Sequence, residues 1–249
     1  MSAWHIIMIL VAGIAAGTIN TVVGSGTLIT FPTLLAFGYA PVTANVSNTI
    51  GLVPGSVSGA LGYRRELDGQ RERLVSLGVA VVLGGVLGSI LLLVLPAAAF
   101  KTIVPFFIAL ALVLILSQRQ INRLLGGRRR GHGQGVGPLA LAGAFTCGVY
   151  GGYFGAAQGI LMLSVLGLSI DDSLQRLNAV KVVTTGLTNL VAGIVFVLAA
   201  HVAWAPAGLI AGGSVLGGVL GSRFGRRLPP PVLRALIVIV GVVAIIRLV

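Results

Sequence analysis

The chain contains the same hexapeptide twice. Gly-Gly-Val-Leu-Gly-Ser occurs at 84–89 and again at 217–222, which are 133 residues apart in a sequence of 249. Other landmarks recur at nearly the same distance: a glycine-rich stretch at 12–26 returns at 142–159, Asn48 returns as Asn178, and Pro96 as Pro229. A constant offset of about half the chain indicates duplication of a long structural unit. The sequence therefore predicts two related halves.

Both halves consist mainly of apolar segments of helical length. Hydrophobic residues make up 56% of the chain and charged residues 9%, against about 25% charged in soluble domains. Segments are predicted at 4–22, 26–38, 41–63, 74–95 and 100–117 in the first half, and at 137–154, 157–168, 173–199, 204–222 and 231–248 in the second. Most have the roughly 17–25 residues that cross a bilayer. The predicted fold is an all-α, polytopic helical membrane protein.

The second segment of each half, at 26–38 and 157–168, is too short for a clean span. Each follows a glycine-rich turn, and such lengths suit broken or re-entrant helices. The 37 glycines also favour close contact between helices in a membrane. The predicted organisation is an N-terminal repeat at 1–117, a basic cytoplasmic linker at 118–136 and a C-terminal repeat at 137–249.

The positive charges predict how the halves are oriented. Of the 17 Lys and Arg residues, 14 fall in loops that can share the cytoplasmic side: Arg64, Arg65, Arg71, Arg73, Arg119, Arg123, Arg128, Arg129, Arg130, Arg176, Arg223, Arg226, Arg227 and Arg234. The loop before the hexapeptide segment is then inside in the first half, whereas its counterpart at 200–204 is outside. This predicts inverted-topology repeats, a plan of secondary transporters. The alternative, duplication in one direction, places several arginine loops outside.

Several classes of protein are excluded by the composition. The net charge of +12 is assigned to cytoplasmic loops, because no aromatic residue is interleaved with the arginines between 119 and 130, and nucleic acid is not an expected partner. The single Cys147 excludes an internal disulfide and a Cys-based metal site. No Ser-His-Asp set, Cys-His set or P-loop indicates an enzyme or an ATP-driven pump, and no cofactor is expected. The five acidic residues fall in loops or at helix starts, which disfavours a carboxylate-based cation site.

Lys181 is the one ionisable side chain predicted inside a span. Asn178, Thr184 and Thr185 share its helix face by their spacing. One cation with hydroxyl and amide donors forms a cradle for an oxyanion, so these four residues are predicted to bind substrate. The alternative is a lysine that snorkels to the cytoplasmic interface.

The other candidate residues lie at the start of segment three and in the two glycine-rich turns. Asn45 and Asn48 share a face of segment three, and Asn48 is taken as the repeat partner of Asn178. Unwound backbone at membrane depth frees N–H groups and helix N-termini that suit anions, although the packing of small residues explains the glycines equally well. The turn residues predicted to bind substrate are Asn20, Gly24, Ser25, Gly26, Thr27, Gln158 and Gly159.

Several motifs resemble the TauE/SafE family, also called the sulfite exporter or toluene-sulfonate uptake permease family. They are NTVVGSGTL at 20–28, FPTL at 31–34, ANVSNT at 44–49 and RLPP at 227–230; the second turn, GAAQG at 155–159, is a degenerate match. The resemblance spans nearly the whole chain. It implies a multi-pass plasma-membrane transporter of sulfite, sulfonates or related organosulfur anions.

The sequence thus favours secondary transport of a small anion by alternating access around a midplane site. The expected partners are that anion and the lipid bilayer, and further copies of the chain are an option that the sequence leaves open. The alternative is a non-transporting membrane scaffold or assembly factor, which would also be glycine-rich with basic loops. A scaffold should tolerate a neutral residue at position 181.

Overall fold

The fold is known from a computed structural model, which describes residues 2–126 and 136–224. Those residues form ten helices and no strand: α1 Ala3–Val22, α2 Thr27–Ala36, α3 Pro41–Gly62, α4 Arg64–Leu67, α5 Arg71–Val94, α6 Ala97–Gly126, α7 Pro138–Tyr153, α8 Gln158–Ser169, α9 Leu174–Ala199 and α10 Trp204–Phe224. The predicted segment at 231–248, together with Arg128, Arg129, Arg130, Arg226, Arg227, Arg234 and Pro229, lies outside the described residues.

The helices follow the predicted segments closely, and the all-helical membrane fold is confirmed. In the described part of the chain, α1, α5, α9, α10 and the stretch Ala97–Ser117 of α6 are long and apolar enough to cross a membrane. Two details differ from the prediction. The short helix α4 was not predicted, and α6 continues to Gly126 through the first part of the predicted linker.

The first helix of each half ends at a break with the same backbone pattern. The carbonyl of Ile19 accepts hydrogen bonds from both Val23 and Gly24 at the end of α1, and the carbonyl of Tyr150 accepts from Phe154 and Gly155 at the end of α7. Gly24 and Gly155 have φ angles of +86° and +77°, a conformation that glycine adopts at little cost. This pattern makes Asn20 and Thr21 equivalent to Gly151 and Gly152.

The helices that follow the breaks are short, as predicted. Helix α2 has 10 residues and α8 has 12, which at a rise of about 1.5 Å per residue gives roughly half the thickness of a bilayer. Ala157, just before α8, has a φ of 58° and is the single non-glycine residue with positive φ among those described. Such a conformation is strained for alanine, which places backbone strain at the second break.

The two hexapeptides pack in equivalent ways, each against the other half. Helix α5 of the first half packs on α7 and α9, whereas α10 of the second half packs on α1 and α3. Gly84 faces the carbonyl of Phe145 on α7, and Gly217 faces the carbonyl of Ile14 on α1, both too closely to admit a Cβ atom. The glycines therefore allow the close backbone contacts that membrane helices use in place of hydrophobic burial.

The directions of the helices follow from these contacts. Helices α3 and α9 are repeat equivalents and cross antiparallel at the centre: Gly59 meets Val182, and Ile50 meets Gly193. Helix α10 runs parallel to α1 and α3, because Ile210 lies near Gly13 and Gly51 while Ser214 lies near Gly17 and Gly55. Helix α5 runs parallel to α7 and α9 by contacts of Gly84 with Phe145, Gly88 with Val149, Gly78 with Leu187 and Gly85 with Val191.

Aromatic side chains hold the second break against α2 and α6. Phe154 lies edge-to-face with Phe31 of α2 at 5.1 Å between ring centroids and with Phe100 of α6 at 6.0 Å. Phe107 contacts Tyr150 in the same geometry at 5.2 Å. Such pairs add about 0.5–1.5 kcal/mol each beyond area burial. They fix the end of α7 inside the bundle.

Candidate functional site

The two helix breaks meet in direct backbone contact. The N–H of Gly159 at the start of α8 donates a hydrogen bond to the carbonyl of Gly24, at 3.0 Å. A Cβ atom built on either glycine would overlap the Cα of the other. Only glycine fits at both positions, and the contact brings the glycine-rich turns of the two halves together as a single structural feature.

Lys181 is buried beside this contact, with none of its surface exposed. Its Nζ donates hydrogen bonds to the carbonyls of Asn20 at 3.2 Å and Thr21 at 3.1 Å. These carbonyls belong to the last turn of α1, where helices leave acceptors unpaired and carry partial negative charge. The lysine stem passes over Gly159, where a Cβ would lie 2.8 Å from Cδ. The ammonium therefore ends on protein carbonyls, a partner that the sequence analysis did not identify.

Two asparagines make equivalent contacts with the helix ends of the opposite half. Asn178 on α9 donates from Nδ2 to the carbonyl of Thr21 at 3.4 Å, and Asn45 on α3 donates to the carbonyl of Tyr153 at 3.0 Å. Their spacing of 133 residues is that of the hexapeptides. The structure thus pairs Asn178 with Asn45, where the sequence analysis had paired it with Asn48.

Asn48 acts within its own half. Its Nδ2 donates to the hydroxyl of Thr27 at 3.2 Å, and its Oδ1 accepts a hydrogen bond from Thr30. All three residues are buried. These bonds fasten the first turn of α2 to α3, and so they hold the short helix at a fixed depth next to the first break.

The two threonines near Lys181 do not direct their hydroxyl protons at a common point. Thr184 donates to the carbonyls of Val180 and Lys181, and Thr185 donates to the carbonyl of Lys181 at 2.8 Å. Bonds of this kind to the preceding turn are common for threonine in helices. The expected cradle of lysine, amide and hydroxyl donors is therefore reduced to Lys181 and Asn178.

The remaining predicted residues surround the breaks. Gln158 donates from Nε2 to the carbonyl of Cys147 and to the hydroxyl of Thr188, both at 3.1 Å. Asn20 reaches the hydroxyl of Ser56 at 3.5 Å. Gly26 packs against the carbonyl of Ala16, and Ser25 is buried with no hydrogen-bond partner for its hydroxyl among the described residues.

Sequence reasoning missed three groups of the site. The carbonyls of Asn20 and Thr21 could not be found from side-chain types, because any residue supplies a carbonyl. Thr30 gave no separate signal within its apolar segment. Thr188 was within reach, since it continues the helix face of Lys181 and Thr184 by one more turn.

A charged cluster joins the two halves away from the breaks. Asp172, before α9, accepts hydrogen bonds from Arg73 of α5 at 2.8 Å and from Arg176 at 3.2 Å. Partial burial pushes the pKa of Asp172 upward, but the hydrogen bonds from Arg73, the Ser173 N–H and Arg176 outweigh it and leave the pKa below its usual value. This is an ion-pair network at a loop, as expected for an acidic residue at a helix start.

Comparisons with known proteins agree with this architecture. Residues 9–248 match the family described as Sulfite exporter TauE/SafE. A probable membrane transporter protein of Haemophilus influenzae is 27% identical over 228 residues, covering 91% of this chain and 88% of that protein. The probable membrane transporter protein YfcA of Escherichia coli K12 is 27% identical over 230 residues, covering 92% and 83%.

A third relative, the probable membrane transporter protein ORF9 of a Sinorhizobium species, is 30% identical over 251 residues, covering 99% of this chain and 93% of that protein. No solved structure matches the chain. The family and the names of these relatives indicate a multi-pass membrane transporter and not an enzyme. The chain belongs to the TauE/SafE sulfite exporter family.

Proposed function

We propose that this protein is a secondary transporter of small anions, and that it moves sulfite, sulfonates or related organosulfur compounds across the plasma membrane by alternating access. The observation that carries the proposal is the contact between Gly24 and Gly159 beside the fully buried Lys181. It places two helix breaks and one positive charge at a single point between the halves. Transporters with discontinuous helices bind substrate at such points.

The chemistry around the breaks favours an anion. Helices α2 and α8 both begin there, and helix N-termini attract negative charge through their free N–H groups. The hydroxyl of Ser25 is buried without a partner among the described residues. The Lys181 ammonium has three protons and two carbonyl acceptors, so one proton remains to donate to a substrate oxygen.

Alternating access requires two halves that can exchange roles, and we infer that the repeats are inverted. The antiparallel crossing of α3 and α9 supports this, because equivalent helices of a same-direction duplication would run parallel. The parallel groups α1, α3, α10 and α5, α7, α9 agree with it. In the proposed orientation the loop with Arg64 and Arg65 and the ion-pair network at Asp172 lie on the cytoplasmic side, and His201 lies outside.

Uptake by proteoliposomes tests this function. The purified protein should take up at least one radiolabelled anion from a panel of sulfite, sulfate, thiosulfate and small alkyl sulfonates. Lys181→Met should weaken uptake, whereas Lys101→Met, at an exposed lysine of α6, should not. Failure with every anion of the panel, or equal uptake by all three proteins, would favour the scaffold alternative over transport through this site.

A further inference from the structure

The two helix ends at the breaks have matching backbones, but their carbonyls are satisfied differently. At the end of α1, the carbonyls of Asn20 and Thr21 accept hydrogen bonds from the Lys181 ammonium. The equivalent carbonyls at the end of α7 are those of Gly151 and Gly152. Neither accepts a hydrogen bond from a donor in the described part of the chain. The negative end of one helix thus has a built-in cation, and the other has none.

No lysine could serve the end of α7 by the same route. The repeat equivalent of Lys181 is Asn48, whose side chain is engaged with Thr27 and Thr30 of its own half. The lysine stem needs the space over Gly159, and the equivalent of Gly159 is the buried Leu28. A positive charge at the end of α7 therefore has to come from outside the chain.

A buried acceptor is held at that helix end. Asn45 is fully buried, and its Nδ2 donates to the carbonyl of Tyr153. The Oδ1 of the same amide has no hydrogen-bond partner among the described residues. Reversing the amide would set two oxygens against each other, so the contact with Tyr153 assigns the orientation. Leaving a buried oxygen unpartnered is unfavourable, which indicates that a bound group satisfies it.

We propose that a monovalent metal cation binds at the C-terminal end of α7, in the place that the Lys181 ammonium holds at the end of α1. Its ligands are the Oδ1 of Asn45 and the carbonyls of Gly151 and Gly152. Amide and carbonyl oxygens are ligands for hard cations, and the negative end of the helix dipole supplies the favourable field. A singly charged ion needs no carboxylate here, because this field and neutral oxygens replace its hydration shell.

The site gives the proposed transporter a place for a coupling ion. Helix C-terminal ends and unwound carbonyls bind such ions in transporters with broken helices, while the N-termini face the anionic substrate. Only the coupling role rests on the proposed anion transport. Binding of the cation itself depends on the geometry at α7 alone and can be measured without any substrate.

The test measures the thermal stability of the purified full-length protein in detergent. NaCl or KCl replaces choline chloride at constant ionic strength, so that only the identity of the cation changes. We expect a saturating rise in Tm of about 5 °C with at least one of the two ions. In Asn45→Ala the midpoint of the rise should move to a ten- to hundredfold higher concentration, the effect of losing one charged contact.

The matched control is Asn178→Ala, which removes the equivalent amide at the lysine end and should keep the wild-type midpoint. A flat response of the wild-type protein to both ions would overturn the proposal and leave Asn45 bound to water. Equal shifts of the midpoint in both variants would overturn the assignment to α7. If Asn45→Ala does not fold, the wild-type titration still decides. Because the titration contains no transported anion, a flat response leaves anion transport standing, and a failed uptake screen leaves the cation response standing.

Discussion

Lys181 and Thr21 belong to different halves of the chain, and the Lys181 Nζ donates a hydrogen bond to the Thr21 carbonyl at 3.1 Å. The same carbonyl also accepts from Asn178. A single carbonyl at the end of α1 is therefore the point where the second half holds the first. Any movement of α9 relative to α1 must stretch or break these bonds, which couples the charged residue at the proposed site to the relative position of the halves.

Lys181→Met should weaken anion binding by roughly 1.5–3 kcal/mol, the usual contribution of a hydrogen bond to a charged group. This corresponds to about a ten- to hundredfold loss in affinity, measured as the concentration of anion that gives half-maximal uptake. Methionine keeps the volume of the stem over Gly159, so the packing at the breaks should be retained. Lys181→Arg should restore only part of the affinity, because a planar guanidinium does not reproduce the geometry of a compact ammonium.

Thr185→Val is the control for this prediction. The hydroxyl of Thr185 donates to the carbonyl of Lys181 on its own helix, and valine matches threonine in shape. Affinity should remain within about twofold of the wild type, since a bond of this kind contributes little. A large loss with Thr185→Val and none with Lys181→Met would return the hydroxyls to the site and make the lysine purely structural.

Gly24→Ala should reduce uptake to background while leaving membrane insertion intact. The alanine Cβ would overlap the Cα of Gly159 and push the two breaks apart. It would also carry the strain of a positive φ, which costs about 1–2 kcal/mol. Uptake and the amount of protein in the membrane should be measured together, so that loss of transport is separated from loss of protein.

Gly38→Ala separates the collision from the strain. Gly38 has nearly the same φ, +84°, but a Cβ there would have no atom within 4 Å. Its uptake should therefore stay close to that of the wild type. Equal losses in Gly24→Ala and Gly38→Ala would mean that backbone strain alone explains the effect and that the contact between the breaks has no role in transport.

The sequence predicted most of the helices because the signals were local and strong. Each helix of the described part, apart from α4, starts within three residues of a predicted segment, since apolar runs and glycine turns mark their own limits. The duplication was also readable, and the offset of the hexapeptides proved to be the right one for α3 and α9. Choosing Asn48 as the partner of Asn178 went wrong because the offset drifts from 131 to 133 residues along the repeat.

The site was predicted less completely because its contacts join distant parts of the chain. Lys181 and Asn178 were recognised as polar residues in an apolar helix, but their acceptors are backbone carbonyls that have no sequence signature. The threonines looked equivalent to the asparagine by spacing. Only the structure shows that their hydroxyls turn back onto the preceding turn of α9.

Asp172→Asn should lower the stability of the protein near neutral pH by roughly 1.5–3 kcal/mol, because it removes a charged acceptor from Arg73 and Arg176. The pKa of Asp172 is depressed in the folded state. Its contribution is therefore fully present above the usual aspartate pKa of about 3.9, and it is lost as the pH falls below that value. The difference in Tm between the wild type and the variant should shrink in the same range.

Asp171→Asn is the neighbouring control, since Asp171 is exposed and takes no part in the ion pairs with Arg73 and Arg176. It should change Tm by less than about a quarter of the effect at Asp172, as expected for a surface charge. A pH-independent difference for Asp172→Asn would show that the aspartate acts by packing and not by its charge.

Cysteine labelling in intact cells tests the inverted orientation. With the buried Cys147 replaced by alanine, Arg65→Cys and His201→Cys each introduce one thiol at an exposed position, after α3 and after α9. Because α3 and α9 cross antiparallel, their C-terminal ends lie at opposite faces of the bundle. An impermeant maleimide added outside should therefore label His201→Cys, and Arg65→Cys should react only after the membrane is opened, as the positive-inside rule requires. Labelling of both thiols from outside, or of neither, would contradict the opposite facing of the two halves and remove the symmetry on which alternating access depends.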